Sequence, residues 1–429
     1  MYRSLLLTLF LLVLTAPSFA EEEKTDVNYC EHIREIIITL PRPTYIPADY
    51  MWQTTPGVFG ADQFSSFLGE RDGLLYFLGD STPYNTFAQP QTPQTYLAAL
   101  KKKGGDEAWE QRQTHKNVMP AIMGVMHDKT IYSLHPTPAN GWAIRTSEIT
   151  KGNFLKETPI LTDVKNFTAT DMANVQNDLI LAGHVDLKGR TEARLYRISA
   201  DGKKLWERKF LPGIASRLEK IILLQDGTIG LVGEIAQGNT KAGWYIRVNK
   251  NGNMLTQTRF PRGTSATLTG GKADKNALWL YGDIATGEDQ RGVWLARTTV
   301  DGRVLWERFI TSKTPYNGAG LVVLPDSRAQ LLLNSFNEKV ERNVRPHARL
   351  LAFTKEGFQQ TDEVFRDSSG SQAAELALLE DKTRLITGFT QTGFANLRAK
   401  GSELAGTYDA WVLLLKPEGF FRDVCPPWP

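Results

Sequence analysis

A segment of about 50 residues recurs along the chain. Its clearest copies read ARLYRISADGKKLWERKF (193–210), GWYIRVNKNGNMLTQTRF (243–260) and GVWLARTTVDGRVLWERFI (292–310). Gly202, Gly252 and Gly302 stand 50 residues apart. A unit this short cannot bury a core alone, so its copies must pack on one another. Short alternating strands at this fixed period restrict the chain to a radially repeated all-β array.

The fourth copy has the plainest anatomy. It runs IILLQ (221–225), the turn Asp226-Gly227, TIGLVG (228–233), a loop, WYIRV (244–248), the turn Asn251-Gly252 and MLTQTRF (254–260). Asp-Gly and Asn-Gly supply the positive φ that tight hairpins need, so each copy reads as four antiparallel strands. Counting copies by their last turn (104–105, 152, 202, 252, 302, 357 and 419) gives seven. The expected fold is an all-β, seven-bladed β-propeller of four-stranded antiparallel blades. It occupies 64–425, with blades near 64–113, 119–161, 167–210, 218–260, 266–310, 319–365 and 373–425, and a tail at 426–429. The loops at 81–94, 336–347 and 390–408 are long and polar, as expected of contact surfaces.

Residues 1–20 carry Arg3, the apolar run Leu5 to Leu14 and small residues before an acidic stretch, the pattern of a secretory signal peptide cut after Ala20. The run is shorter than a membrane span, and no comparable stretch follows it, so no transmembrane span is expected in the mature chain. A periodic propeller of this kind would be periplasmic or secreted.

Segment 21–63 precedes the repeats and is expected to supply a closing strand. The β-branched run in IREIIITL (33–40) favours a strand over the helical alternative, placed beside the last blade near GFFRDV. The two cysteines, Cys30 and Cys425, flank the array. In an exported chain they read as a disulfide across the N- and C-terminal closure, contributing about 5 kcal/mol by loop-closure entropy. Two free or metal-binding thiols are the alternative.

A formal net charge of +3 is too small for a nucleic-acid binder. No Gly-x-Ser-x-Gly elbow, phosphate loop, HExxH helix or Cys-x-x-Cys pair is present. What remains is positional. After the glycine that ends each second strand, or its equivalent, stand Asp80, His135, His184, Glu234, Asp283, Ser335 and Phe389. These positions should ring one mouth of the central channel, where closed β architectures hold ligands. His135 and His184 with the neighbouring carboxylates have the chemistry to bind a divalent metal, although no cofactor is favoured. Short polar residues after glycine also serve simply to cap turns or tie loops. Arg145, Arg197, Arg247 and Arg297 form a second series on the third strands. They suit either a bound anion or pairing within and between blades.

DGKKLWERKF, DGRVLWERFI and GGDEAWEQR (104–112) share a Gly turn followed by Trp206, Trp306 or Trp109. This resembles the tryptophan-docking repeat of quinoprotein-type, PQQ-like propellers, and also the propellers of bacterial outer-membrane assembly lipoproteins. The resemblance implies a propeller fold with structural tryptophans. It does not extend to the eight blades, calcium site and catalytic aspartate of the quinoprotein dehydrogenases, or to the acylated cysteine of the lipoproteins. The expected function is therefore a scaffold that binds a protein, glycan or cell-envelope component through its loop face. The alternative is a quinoprotein-like oxidoreductase, or a metal-assisted lyase or hydrolase, acting at the channel mouth.

Overall fold

The computed structural model describes residues 35–39, 50–57, 60–84, 90–115, 118–287, 291–312, 315–335, 347–365, 371–390 and 409–416. Within these residues the chain forms seven sheets built from four consecutive antiparallel strands each, save that the last borrows one strand from the N-terminus. The fourth blade, Ser216–Leu223, Ile229–Gln237, Thr240–Val248 and Met254–Phe260, shows the common order. The other complete blades span 60–113, 123–160, 167–209, 265–311 and 316–365. First strands of successive blades touch one another all the way round, so they line the central channel. Connections between second and third strands share one face with those between blades. Among the described residues the opposite face carries only short hairpin turns.

The core lies between blades. Ile180, Ala182 and Leu195 of the third blade pack on Leu231, Trp244 and Ile246 of the fourth, all fully buried. Each blade is thus half of two adjacent cores, and burial of these apolar faces holds the ring together.

The recurring glycine of the second strand has a steric origin. In most blades the first strand carries a β-bulge, with register shifts at Ala169/Asp171, Leu218/Lys220, Leu268/Gly270 and Ala373/Glu375. The carbonyl just before the bulge closes over the glycine. A Cβ on Gly183, Gly233, Gly282 or Gly388 would sit 1.9 to 2.0 Å from a carbonyl oxygen. The second blade has no such bulge, and Leu134 takes the glycine's place. Gly233→Ala is expected to destabilise the protein by about 2 kcal/mol through overpacking. Gly287→Ala, with open space around its Cβ, should leave the urea midpoint unchanged. Equal midpoints for both variants would refute the steric explanation.

The ring closes differently from the sequence expectation. The segment expected beside the last blade, 33–40, forms β1 (Glu35–Thr39), which pairs in parallel with Val304–Thr311 as a fifth strand on the fifth blade. The closing strand is β2 (Tyr50–Thr54), antiparallel to Asp409–Leu415. It holds the outer position of the seventh blade that the sequence reading gave to residues after Gly419. β-Branching correctly marks 35–39 as a strand but carries no information about which edge it joins. Cys30, Cys425 and the GFFRDV segment lie outside the described residues.

Tryptophan docking explains why β2 fits. On six outer strands one side chain rests on the last turn of the next blade, all the cases in which that turn lies among the described residues. Trp109 covers Gly152, Trp206 covers Gly252 and Trp306 covers Gly357, while Thr158 and Thr258 do the same for Gly202 and Gly302. Trp52 of β2 covers Gly105 across the seam and donates from Nε1 to the Lys102 carbonyl at 2.7 Å. Trp306 makes the matching bond to the Lys355 carbonyl at 2.8 Å.

Candidate functional site

The positions after the second-strand glycines fall near the loop face, and each is held by contacts of its own. Glu234 and Asp283 reach the first strand of the next blade, whereas Asp80, His135 and Ser335 are held within their own blade or connection. Glu234 is buried and accepts hydrogen bonds from Thr267 Oγ1 of the fifth blade at 2.6 Å and from Lys241 Nζ at 2.7 Å, with Arg217 at 3.2 Å. Asp283 lies 3.5 Å from the Gly318 amide of the sixth blade. Desolvation by the surrounding structure raises its carboxyl pKa. Asp80 accepts from Gln63 Nε2 at 2.6 Å within its own blade, and burial raises its pKa too. Ser335 accepts from the His347 amide at 2.9 Å, and Phe389 is half-buried.

The two histidines have separate surroundings. His135 is fully buried, with Nδ1 2.9 Å from the Met119 carbonyl, Nε2 2.8 Å from Ser133 Oγ and its ring edge-on to His115. A neutral ring satisfies both contacts, donating to the carbonyl and accepting from the hydroxyl. Burial accordingly lowers its pKa to about 4. His184 is half-buried beside Asp186 at 3.9 Å, and burial lowers its pKa as well. Among the described residues no three His, Cys, Asp or Glu side chains come together in a way that would hold a metal ion.

The arginine series belongs to the other face. Arg197, Arg247 and Arg297 each pair with an acidic residue of their own first hairpin and reach the last turn of the next blade. Arg197 contacts Asp178 at 2.7 Å and the Lys250 carbonyl at 3.1 Å. Arg247 contacts Asp226 and, at 2.6 Å, Asp301. Arg297 contacts Asp274 and the Lys355 carbonyl, both at 3.0 Å. These are inter-blade pins, as the pairing alternative expects. Arg145 departs from the series. It sits opposite Ser133 and beside Glu157 and His115, and the register of the other three belongs to Ser147 in the second blade.

Sequence reasoning misses the bulge positions of the inner strands. Asp171 accepts from the Ile221 amide at 2.7 Å and from Lys220 Nζ at 2.9 Å, stitching the third blade to the fourth. Glu375 accepts from the Phe67 amide at 2.7 Å, stitching the seventh to the first. Tyr281 leans over Gly270 and Gly318, where any side chain would collide with its ring. Burial pushes its phenol up to about 12 and raises the Glu375 carboxyl, while Asp171 holds the Lys220 ammonium above its ordinary range. Asp171, Lys220 and Glu375 recur near the 50-residue period, but only a bulge in the register turns them toward the channel.

The loop face also carries a cleft of about 390 Å³ between the second and third blades. Its rim is the turn between Pro136 and Trp142 on one side, and Asn166, Thr168 and Asp186 on the other. The cleft lies alongside the strand ends that carry His135 and His184.

No protein-family model matches the chain, and no curated protein matches it. Among solved structures it is similar to the Dos1 propeller, with 6% identity and a TM-score of 0.52 over 87% of this chain and 96% of that one. It is also similar to a chain of a mitotic checkpoint complex, with 10% identity and a TM-score of 0.51 over 89% and 96%. A phage phi92 endosialidase matches with 9% identity and a TM-score of 0.46 over 93% and 77%. At these identities the first two likenesses concern the fold. No helix of the described residues is long and apolar enough to cross a membrane.

Proposed function

We propose that this seven-bladed propeller is an exported scaffold that binds a protein, glycan or cell-envelope component through its loop face. The carrying observation is the asymmetry of the two faces. One face consists of short hairpin turns, pinned by Arg197, Arg247 and Arg297 to their own and neighbouring turns. The other carries the long connections and the cleft between blades two and three. Rigid rings that hold variable loops on one face are suited to recognition. A similar fold within a mitotic checkpoint complex is consistent with an assembly role. The signal-peptide pattern supports export. Docking of Trp109, Trp206 and Trp306 on the next blade's turn supports kinship with the quinoprotein-type repeat at the level of the blade.

Thr390 and Asp409 are directly paired across two strands, so 391–408 can be replaced by Asn-Gly to leave a tight hairpin. This variant should keep the wild-type urea midpoint and lose capture of native-envelope material on an immobilised column. Lys151→Glu with Asp201→Lys, on the short-turn face, should capture as the wild type does. Capture that survives the loop replacement and falls with the short-turn variant would overturn the assignment.

A further inference from the structure

We infer that the cleft between the second and third blades is a binding subsite for a short, uncharged saccharide; this rests on the loop-face reading above and gives that face a ligand chemistry. Three observations carry the inference. The first is size and shape: about 390 Å³ falls in the range of small-molecule sites and opens onto the loop face.

The second is the chemistry of the lining. Edges of Trp142 and Phe167 form an apolar floor, and Met119, nearly half exposed, adds an apolar wall. Around them stand the Asn140 carboxamide, the Thr168 hydroxyl and the Asp186 carboxylate, all exposed. A pyranose ring offers the complementary surface, with C–H groups on its faces and hydroxyls round its edge. Among the described residues no lysine or arginine lines the cleft, and Asp186 is the one ionisable lining residue. That balance disfavours phosphorylated, sulfated or carboxylated ligands.

The third is preorganisation. The turn that carries Asn140 is closed by bonds from Thr137 N to the Gly141 carbonyl at 2.9 Å and from Gly141 N to Thr137 Oγ1 at 2.9 Å. Trp142 Nε1 donates to the Phe167 carbonyl at 3.0 Å, which fixes the floor across the blade boundary. Asp186 N donates to the Asn166 carbonyl at 2.9 Å, which fixes the opposite rim. These backbone bonds hold the rim, whereas the side chains of Asn140 and Thr168 have no hydrogen-bond partner among the described residues. A rigid frame presenting free polar side chains loses little entropy when it binds.

The test is calorimetric titration of the full mature protein with chitotriose, maltotriose and cellotriose, with sialyllactose as the anionic probe and pentalysine as the cationic one. At least one neutral trisaccharide should bind saturably, and sialyllactose should bind at least tenfold more weakly. Asn140→Ala with Asp186→Ala should weaken the neutral sugar at least tenfold at an unchanged melting temperature, and Thr168→Val should do so more mildly. No saturation by any neutral trisaccharide, unaltered affinity in the double variant, or binding of pentalysine alone would overturn the inference. If envelope capture still depends on 391–408 when the sugars fail, the scaffold reading stands and only the saccharide subsite falls. If capture does not depend on the loop but a sugar binds the cleft, the subsite stands without it.

Discussion

Trp52→Ala should lower the unfolding free energy of the whole ring by about 3 kcal/mol, the scale of removing a large aromatic side chain from a packed contact. Trp52 is the side chain of β2 that crosses the seam. It covers Gly105 of the first blade and bonds the Lys102 carbonyl at 2.7 Å. It also packs against the cluster of Phe64, Phe77, Leu385 and Leu414 that joins the last blade to the first. Lys102 reinforces the same junction by pairing with Glu70 at 2.7 Å and with Asp381 of the seventh blade at 2.8 Å. Urea unfolding measures the loss, and limited proteolysis locates it. The variant should be cut first between β1 and the first blade, because a released β2 leaves that stretch without a partner. Trp206→Ala, at an internal junction, should lose comparable stability without early cleavage there. An unchanged urea midpoint for Trp52→Ala would show that the seam does not depend on this side chain.

The second large effect is a dependence on pH. The fully buried His135 has its folded-state pKa lowered to about 4 by burial, against an ordinary value of 6.5. The unfolded chain therefore takes up a proton below pH 6.5 that the folded chain refuses. The stability held above pH 6.5 is lost as the pH falls, and the loss is complete near pH 4. It amounts to about 3 kcal/mol by linkage. Asp80, Glu219 and Asp283, whose pKa values are raised by burial, oppose this trend because the folded state favours their protonated forms. The measurement is therefore a difference: urea unfolding of wild type and His135→Gln at pH 7 and pH 4.5. The variant starts lower and loses less over that interval. Parallel losses in the two proteins would refute a role for His135.

Much of this architecture is legible in the sequence because a periodic fold writes its constraints periodically. Gly202, Gly252 and Gly302 occupy turns with φ between +76 and +92, where a β-carbon is strained. Gly183, Gly233 and Gly282 lie beneath carbonyls. Such positions admit few residue types, so they recur visibly. The seam is harder to read because its partners lie at opposite ends of the chain. YMWQT of β2 does resemble KLWER at 204–208, with Trp52 in the place of Trp206. That similarity, rather than the β-branched run at 36–39, is the signal that identifies the closing strand.

The channel-mouth series is legible only as a set of positions. Placing a residue after the glycine fixes the face of the ring on which it stands, but its partner depends on whichever strand or connection lies beside it. Glu234 meets a threonine, Asp283 a backbone amide and His135 a carbonyl of its own connection. The contacts made by the series therefore differ from blade to blade. The cleft between blades two and three leaves no periodic trace, because it is formed where the second blade lacks the common bulge and its connection takes its own course.

The borrowed strand has a kinetic consequence. β2 is synthesised among the first residues, but its partner, Asp409–Leu415, is among the last. The two must meet across almost the full length of the chain, the kind of non-local pairing that slows folding. Until they do, six blades can stack while the apolar faces around Phe64 and Leu414 stay uncovered at the two ends of an open arc. An arc with bare strand edges is prone to pair with another such arc, so timely delivery of the N-terminal strand decides whether the chain closes on itself or on a neighbour.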